Sequence, residues 1–137
     1  MIAYIEPLKV LIYGGKALKG EEGSGFGGFC SCGGEMQQIT WHSDQDIRIL
    51  IAECETCWKT EAIVFRDRQF VERCEVKVFK RNELKDLLSE LLSSSEYEAL
   101  MAKRLGEQYN YSAFSRAKKK LEEMGFDAEE LLSELIF

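Results

Sequence analysis

Four of the five cysteines fall in two close pairs, Cys30-Ser31-Cys32 and Cys54-Glu55-Thr56-Cys57, with 21 residues (33–53) between them. Zinc asks for four soft or borderline donors at tetrahedral corners, and two short thiolate loops brought together across a hairpin supply them. Cys30, Cys32, Cys54 and Cys57 are therefore the expected ligands of one structural Zn(II) ion. Gly33 and Gly34 allow a tight turn that aims backbone amides at the sulfurs, offsetting part of the negative charge of four thiolates. The first pair is one residue shorter than a Cys-x-x-Cys knuckle, so His42, the single histidine, stands as an alternative donor. A closed four-ligand site leaves no position for water, so no catalytic residue and no small-molecule substrate are expected from it. Cys74 alternates with Arg73 and Glu75 on the side of Val76 and Val78, where a free cysteine acts as a small core hydrophobe.

The pairs need strands to hold them. Residues 37–41, 47–53, 60–65 and 70–79 are rich in β-formers and bounded by turn signals, and this predicts an antiparallel sheet. Residues 1–13 alternate weakly around Pro7 and read as a strand-like segment. Residues 16–28 are glycine-rich and read as a mobile loop. Gly23-Ser24-Gly25-Phe26-Gly27-Gly28 lacks the Lys-Ser/Thr ending of a phosphate-binding loop. The expected fold class is α+β: a strand-like segment and loop over 1–28, a β-rich zinc ribbon over 29–81, and a four-helix module over 82–137.

Composition fits a folded, non-membrane chain. Of 137 residues 45% are hydrophobic and 31% charged, too apolar for a disordered tail. No apolar run approaches the roughly 18 residues of a membrane span, and Glu6 breaks the N-terminal stretch. Neither a signal peptide nor a membrane partner is read, and the cytoplasm is the expected compartment. The net charge of -6 opposes indiscriminate coating of nucleic acid. It is unevenly spread: residues 1–81 carry 11 Lys/Arg against 12 Asp/Glu, and residues 82–137 carry 7 against 12.

Residues 29–65, with Cys30/Cys32, the polar strand Gln37-Gln38-Ile39-Thr40, the tip Ser43-Asp44-Gln45-Asp46 and Glu53-Cys54-Glu55-Thr56-Cys57-Trp58-Lys59, resemble the zinc ribbons of transcript-cleavage factors and of small RNA polymerase subunits. The resemblance implies a transcription-associated role. In the cleavage factors an acidic pair at the hairpin tip helps hold a catalytic magnesium ion, and Asp44 and Asp46 lie at a comparable place. Cys-x-Cys followed by Cys-x-x-Cys is also the zinc-switch arrangement of redox-regulated heat-shock chaperones, whose large folding domain has no counterpart in this sequence.

The last third is helical in pattern. Leu84, Leu87, Leu88, Leu91 and Leu92 form an apolar stripe. Ser95 with Glu98, and Asp127 with Glu130, read as capping boxes, and Gly106 and Gly125 as helix stops. The stretch 102–126 resembles a winged helix-turn-helix, which implies a helix over 112–124 in a DNA major groove. Residues 103–120 hold six basic side chains and one acidic, and Arg116, Lys118, Lys119 and Lys120 are the expected phosphate contacts. The same lysines are spaced to pair with Glu122 and Glu123 four residues on, which would make the helix merely solvated. The expected function is a zinc-stabilised, non-enzymatic binding module in nucleic-acid transactions, such as a transcription regulator. A protein adaptor docking through the acidic helices is the alternative partner reading.

Overall fold

The structure, a computed structural model, describes residues 1–137 and divides into two compact units, Met1–Val78 and Phe79–Phe137. The first unit is built on strands β1 (Ala3–Ile5), β2 (Val10–Tyr13), β3 (Lys16–Glu22), β4 (Phe26–Phe29), β5 (Glu35–Asp44), β6 (Ile47–Cys54), β7 (Thr60–Arg66) and β8 (Gln69–Glu75). A ninth strand, β9 (Lys77–Phe79), runs across the boundary between the units. Neighbours are antiparallel, in the order β8-β7-β6-β5-β3-β2-β1, and β4 pairs with the stretch of β5 ahead of β3.

The sheet curls into a near-closed barrel. Tyr4 and Leu11, from β1 and β2, share one buried cluster with Ile49, Ile51, Ala62 and Val64, from β6 and β7. Side chains alternate along a strand, so β6 sends Ile49 and Ile51 into this core while Leu50, Ala52 and Cys54 enter a second cluster with Cys30, Met36 and Ile63. The middle of β6 is buried on both faces, unlike the exposed hairpin of a ribbon. The expected zinc ribbon is thus corrected: its hairpin is the central β5-β6 pair of a barrel, flanked by β3 and β7.

The expected loop over 16–28 is corrected as well, because its glycines serve packing. A Cβ on Gly20 would lie 2.5 Å from the His42 ring, and one on Gly27 would lie 3.1 Å from Ala52. Glycine inside a strand often marks such close approach. The segment forms β3 and β4, entered from β2 by a two-residue turn at Gly14 and Gly15 with φ of 58° and 76°.

The second unit consists of α1 (Leu84–Leu91), α2 (Ser94–Leu105), α3 (Tyr111–Met124) and α4 (Ala128–Ser133). The α2 cap lies two residues before the expected one: Ser93 accepts from the Glu96 amide, and the Glu96 carboxylate accepts from the Ser93 amide at 2.9 Å. Three serines in a row offered competing caps, and burial of Glu96 accompanies the choice of the first. Asn110 caps α3, and Asp127 caps α4 as expected. Gly106 and Gly125 end α2 and α3 in left-handed conformations. No helix is long and apolar enough to cross a membrane.

Candidate metal centre and the charged surfaces

Two turns bring the cysteines together. β4 ends at Phe29, and the chain reverses through Cys30–Gly34, where the Cys30 amide donates to the Gly34 carbonyl at 2.9 Å before β5 starts. At the end of β6 the chain turns through Cys54–Lys59, with the Trp58 amide donating to the Cys54 carbonyl at 3.1 Å. The pairing of Met36 with Cys54 sets the two turns side by side.

The four Sγ atoms of Cys30, Cys32, Cys54 and Cys57 lie within 4.8 Å of one another. Cys30 and Cys57 are 3.6 Å apart and Cys32 and Cys54 3.5 Å, too far for disulfides. Tetrahedral zinc with sulfur at about 2.3 Å requires sulfur separations of about 3.8 Å, so the donor set fits such an ion. The Gly34 amide donates to Cys32 at 3.4 Å, and the Thr56 and Cys57 amides donate to Cys54 at 3.4 and 3.5 Å. The Cys57 and Thr56 amides, that of Cys57 foremost, hold the Cys54 thiol down to about 6, whereas Cys57, despite a backbone bond from Lys59, is pushed up to about 11 by burial and by the thiols around it. A Cβ on Gly34 would meet the Thr56 hydroxyl at 2.5 Å and the Cys54 sulfur at 2.9 Å, so this glycine is a steric requirement of the site.

Cys30, whose neighbour spacing was the doubtful one, is inside the cluster together with Cys32. His42 is elsewhere and buried, its Nδ1 donating to the Leu18 carbonyl and its Nε2 accepting from the Thr40 hydroxyl, both at 2.8 Å. Burial holds its pKa below the usual 6.5. Cys74 packs, partly buried, against the main barrel core.

Sequence reasoning missed the groups behind the thiolates. Glu61 is buried 4.0 Å from the Cys30 sulfur, and Arg73 grips its carboxylate while also donating to the Phe29 carbonyl. The signal was a charged residue opening the apolar run of β7, opposite a strand that carries an arginine.

The expected phosphate contacts on α3 are all engaged by carboxylates. Lys120 donates to Glu96 at 2.7 Å, Arg116 approaches the other oxygen of Glu96 at 3.9 Å, and Lys118 and Lys119 lie 4.0 and 3.9 Å from Glu122 and Glu123. Glu96 is 5% exposed, and the Lys120 bond, followed by the Ser93 amide, holds its carboxyl at about 2.

At the tips of the β5-β6 and β7-β8 hairpins the situation is reversed. Asp44 pairs with Lys16 at 3.1 Å and Asp46 with Arg66 at 3.0 Å, so the two acids serve as structural ties. Beside them a groove of about 340 Å³ is lined by Trp41, Arg48, Phe65 and Arg68, among others. The register places Ser43, Arg48, Phe65 and Phe70 in one row across β5 to β8. The Arg48 guanidinium sits 4.6 Å from the centre of the Trp41 ring, and neither Arg48 nor Arg68 has a carboxylate partner.

Barrel, thiolate cluster and helices together define a class: a small two-unit α+β protein whose curled antiparallel barrel carries a four-cysteine centre. The chain belongs to the AF0631-like family, residues 1–78 matching its N-terminal beta-barrel domain and residues 81–134 its C-terminal four-helix domain. A protein of Archaeoglobus fulgidus, described as an uncharacterized protein, is 40% identical over 137 residues, covering 98% of this chain and 99% of the relative. No solved structure matches. These findings overturn the resemblance to transcript-cleavage ribbons and polymerase subunits. They overturn the winged helix-turn-helix equally, since α3 is followed by a fourth helix of a four-helix domain.

Proposed function

We propose that the protein is a non-enzymatic nucleic-acid-binding module whose barrel is held by one structural zinc ion. The observation that carries this reading is the closed set of four sulfurs, with amides aimed at two of them and a glycine that only a hydrogen fits. Zinc in such a set fixes two turns and leaves no coordination position for a substrate. A metal that only holds shape suits a protein that works by presenting a surface. The hairpin tips present the exposed Phe70 ring beside the half-buried Trp41 and Phe65, next to arginines without acid partners, and nucleic acid engages both kinds of group.

Two measurements test the reading. Metal analysis of the protein purified without added metal should give one zinc per chain, lost in a variant with Cys54 and Cys57 both changed to serine. Binding to mixed-sequence nucleic acid should be measurable at low salt and weaken steeply as salt rises. A protein without metal, or without affinity for any nucleic acid at low salt, refutes it. The adaptor reading is favoured by one observation: with the α3 cations engaged, the helical unit keeps an excess of acid, 12 Asp/Glu against 7 Lys/Arg over 82–137. A stoichiometric protein partner recovered after nuclease treatment would support it.

A further inference from the structure

We infer that the groove at the hairpin tips is a binding site for single-stranded nucleic acid, with bases stacked on Trp41, Phe65 and Phe70 and phosphates met by Arg48 and Arg68. This rests on the nucleic-acid reading above and moves the contact from α3 to the barrel. Trp41 and Phe65 have ring centres 6.0 Å apart with planes tilted by 36°, and Phe65 and Phe70 meet edge to face at 6.5 Å, so the three rings adjoin in a row of separate faces. Phe70 is 61% exposed and extends the row of rings into solvent.

The row is built to keep its shape. The Trp41 indole donates to the Gln38 side chain at 2.9 Å, and the Gln38 amide donates to the Phe26 carbonyl at 3.0 Å, which fixes the ring plane. Trp41 and Phe65 also pack against the core cluster that contains Cys30 and Cys54, so the stacking rings and the thiolate centre share one face of β5-β6-β7. An aromatic row with a guanidinium stacked on it accepts flat, electron-rich rings of any base, which requires unpaired strands whose bases are free to leave their stack.

Charge selects the occupant. The groove is lined by Arg48 and Arg68 against Asp46 and Asp67, and Asp46 is paired with Arg66 outside the lining, so two arginines face Asp67 alone. Arg66 is held by Asp46, which leaves Arg48 and Arg68 for an anion. A proline-rich peptide would use the same rings but has no need of the arginines.

The test uses the full-length, zinc-loaded protein with Trp58→Phe, so that Trp41 is the only tryptophan. Oligothymidylate and oligouridylate should quench Trp41 fluorescence, and duplex DNA of equal length should bind more weakly. Phe70→Ala, on an exposed ring, should lower affinity by roughly tenfold or more. Arg68→Asn, which tolerates the left-handed turn at φ 67°, should flatten the salt slope by about one. Circular dichroism melts of both variants should match the parent.

A quadruple alanine variant of Arg116, Lys118, Lys119 and Lys120 should retain affinity. If nucleic acid binds but only the α3 variant loses it, or if duplex is preferred, the groove assignment falls while the nucleic-acid reading survives. If nothing binds at low salt, both fall. Proline-rich peptide binding that Phe70→Ala abolishes, without nucleic-acid binding, likewise overturns the assignment. So does a dimer that Phe70→Asp dissociates.

Discussion

The barrel and the helical unit each bury anionic groups, and they neutralise them differently. In the helical unit one buried carboxylate, Glu96, is met from within by Lys120, Arg116 and the Ser93 amide. In the barrel Glu61 is met by Arg73, but in the thiol cluster Cys32 and Cys54 are met by backbone amides and by no cation. A carboxylate with its own cation is complete when the chain folds, whereas a thiolate cluster is complete only with a metal. On the zinc reading proposed above, the barrel is the unit whose stability depends on something outside the sequence.

Removing the metal should break this symmetry most. Chelation, or Gly34→Ala, which drives a methyl into Thr56 and Cys54, should destabilise the barrel by about 3 kcal/mol or more, roughly 12–24 °C in Tm. Both tryptophans lie in the barrel, so their fluorescence should report the loss while helical ellipticity melts later. A coincident transition in both signals would show the units to be coupled.

Lys120→Met should have the next largest effect, about 1–3 kcal/mol, because it leaves Glu96 buried with only a distant Arg116. The loss should appear in ellipticity before tryptophan fluorescence. Acid should act on the same contact. The Glu96 carboxyl is held at about 2 against an ordinary 4.5, so its contribution is complete above about 4.5 and disappears as pH falls from there through 2. Glu96→Gln should flatten the pH dependence of helical melting in that window. The smallest effect is expected from Lys119→Ala, a few tenths of a kcal/mol, since the Lys119–Glu123 pair is exposed and adjacent on one helix.

Much of the site was legible because it is local. Two cysteine pairs at short spacing define a donor set whatever surrounds them, and the structure brings the four sulfurs together. The helices were readable for the same reason, although the choice among Ser93, Ser94 and Ser95 as cap depended on where Glu96 is buried. The glycines between 20 and 28 misled because a glycine needed for a loop and one needed for close packing are the same letter. His42 and Ala52, which decide between them, are more than twenty residues away.

The chain itself determined its strands over 37–65, its α+β division, its cysteine donor set and the excess of basic residues along α3, since each follows from neighbours within a turn or a hairpin. Tertiary structure decided the rest. Curling β1 and β2 onto the core of β6 and β7 made a barrel where a ribbon was expected. Packing α3 beside the cap of α2 set Lys120 against Glu96. Register across three strands lined up Arg48 with Phe65 and Phe70. Whether a charge is available to a ligand depends on which distant carboxylate reaches it, and that distance exists only in the folded chain.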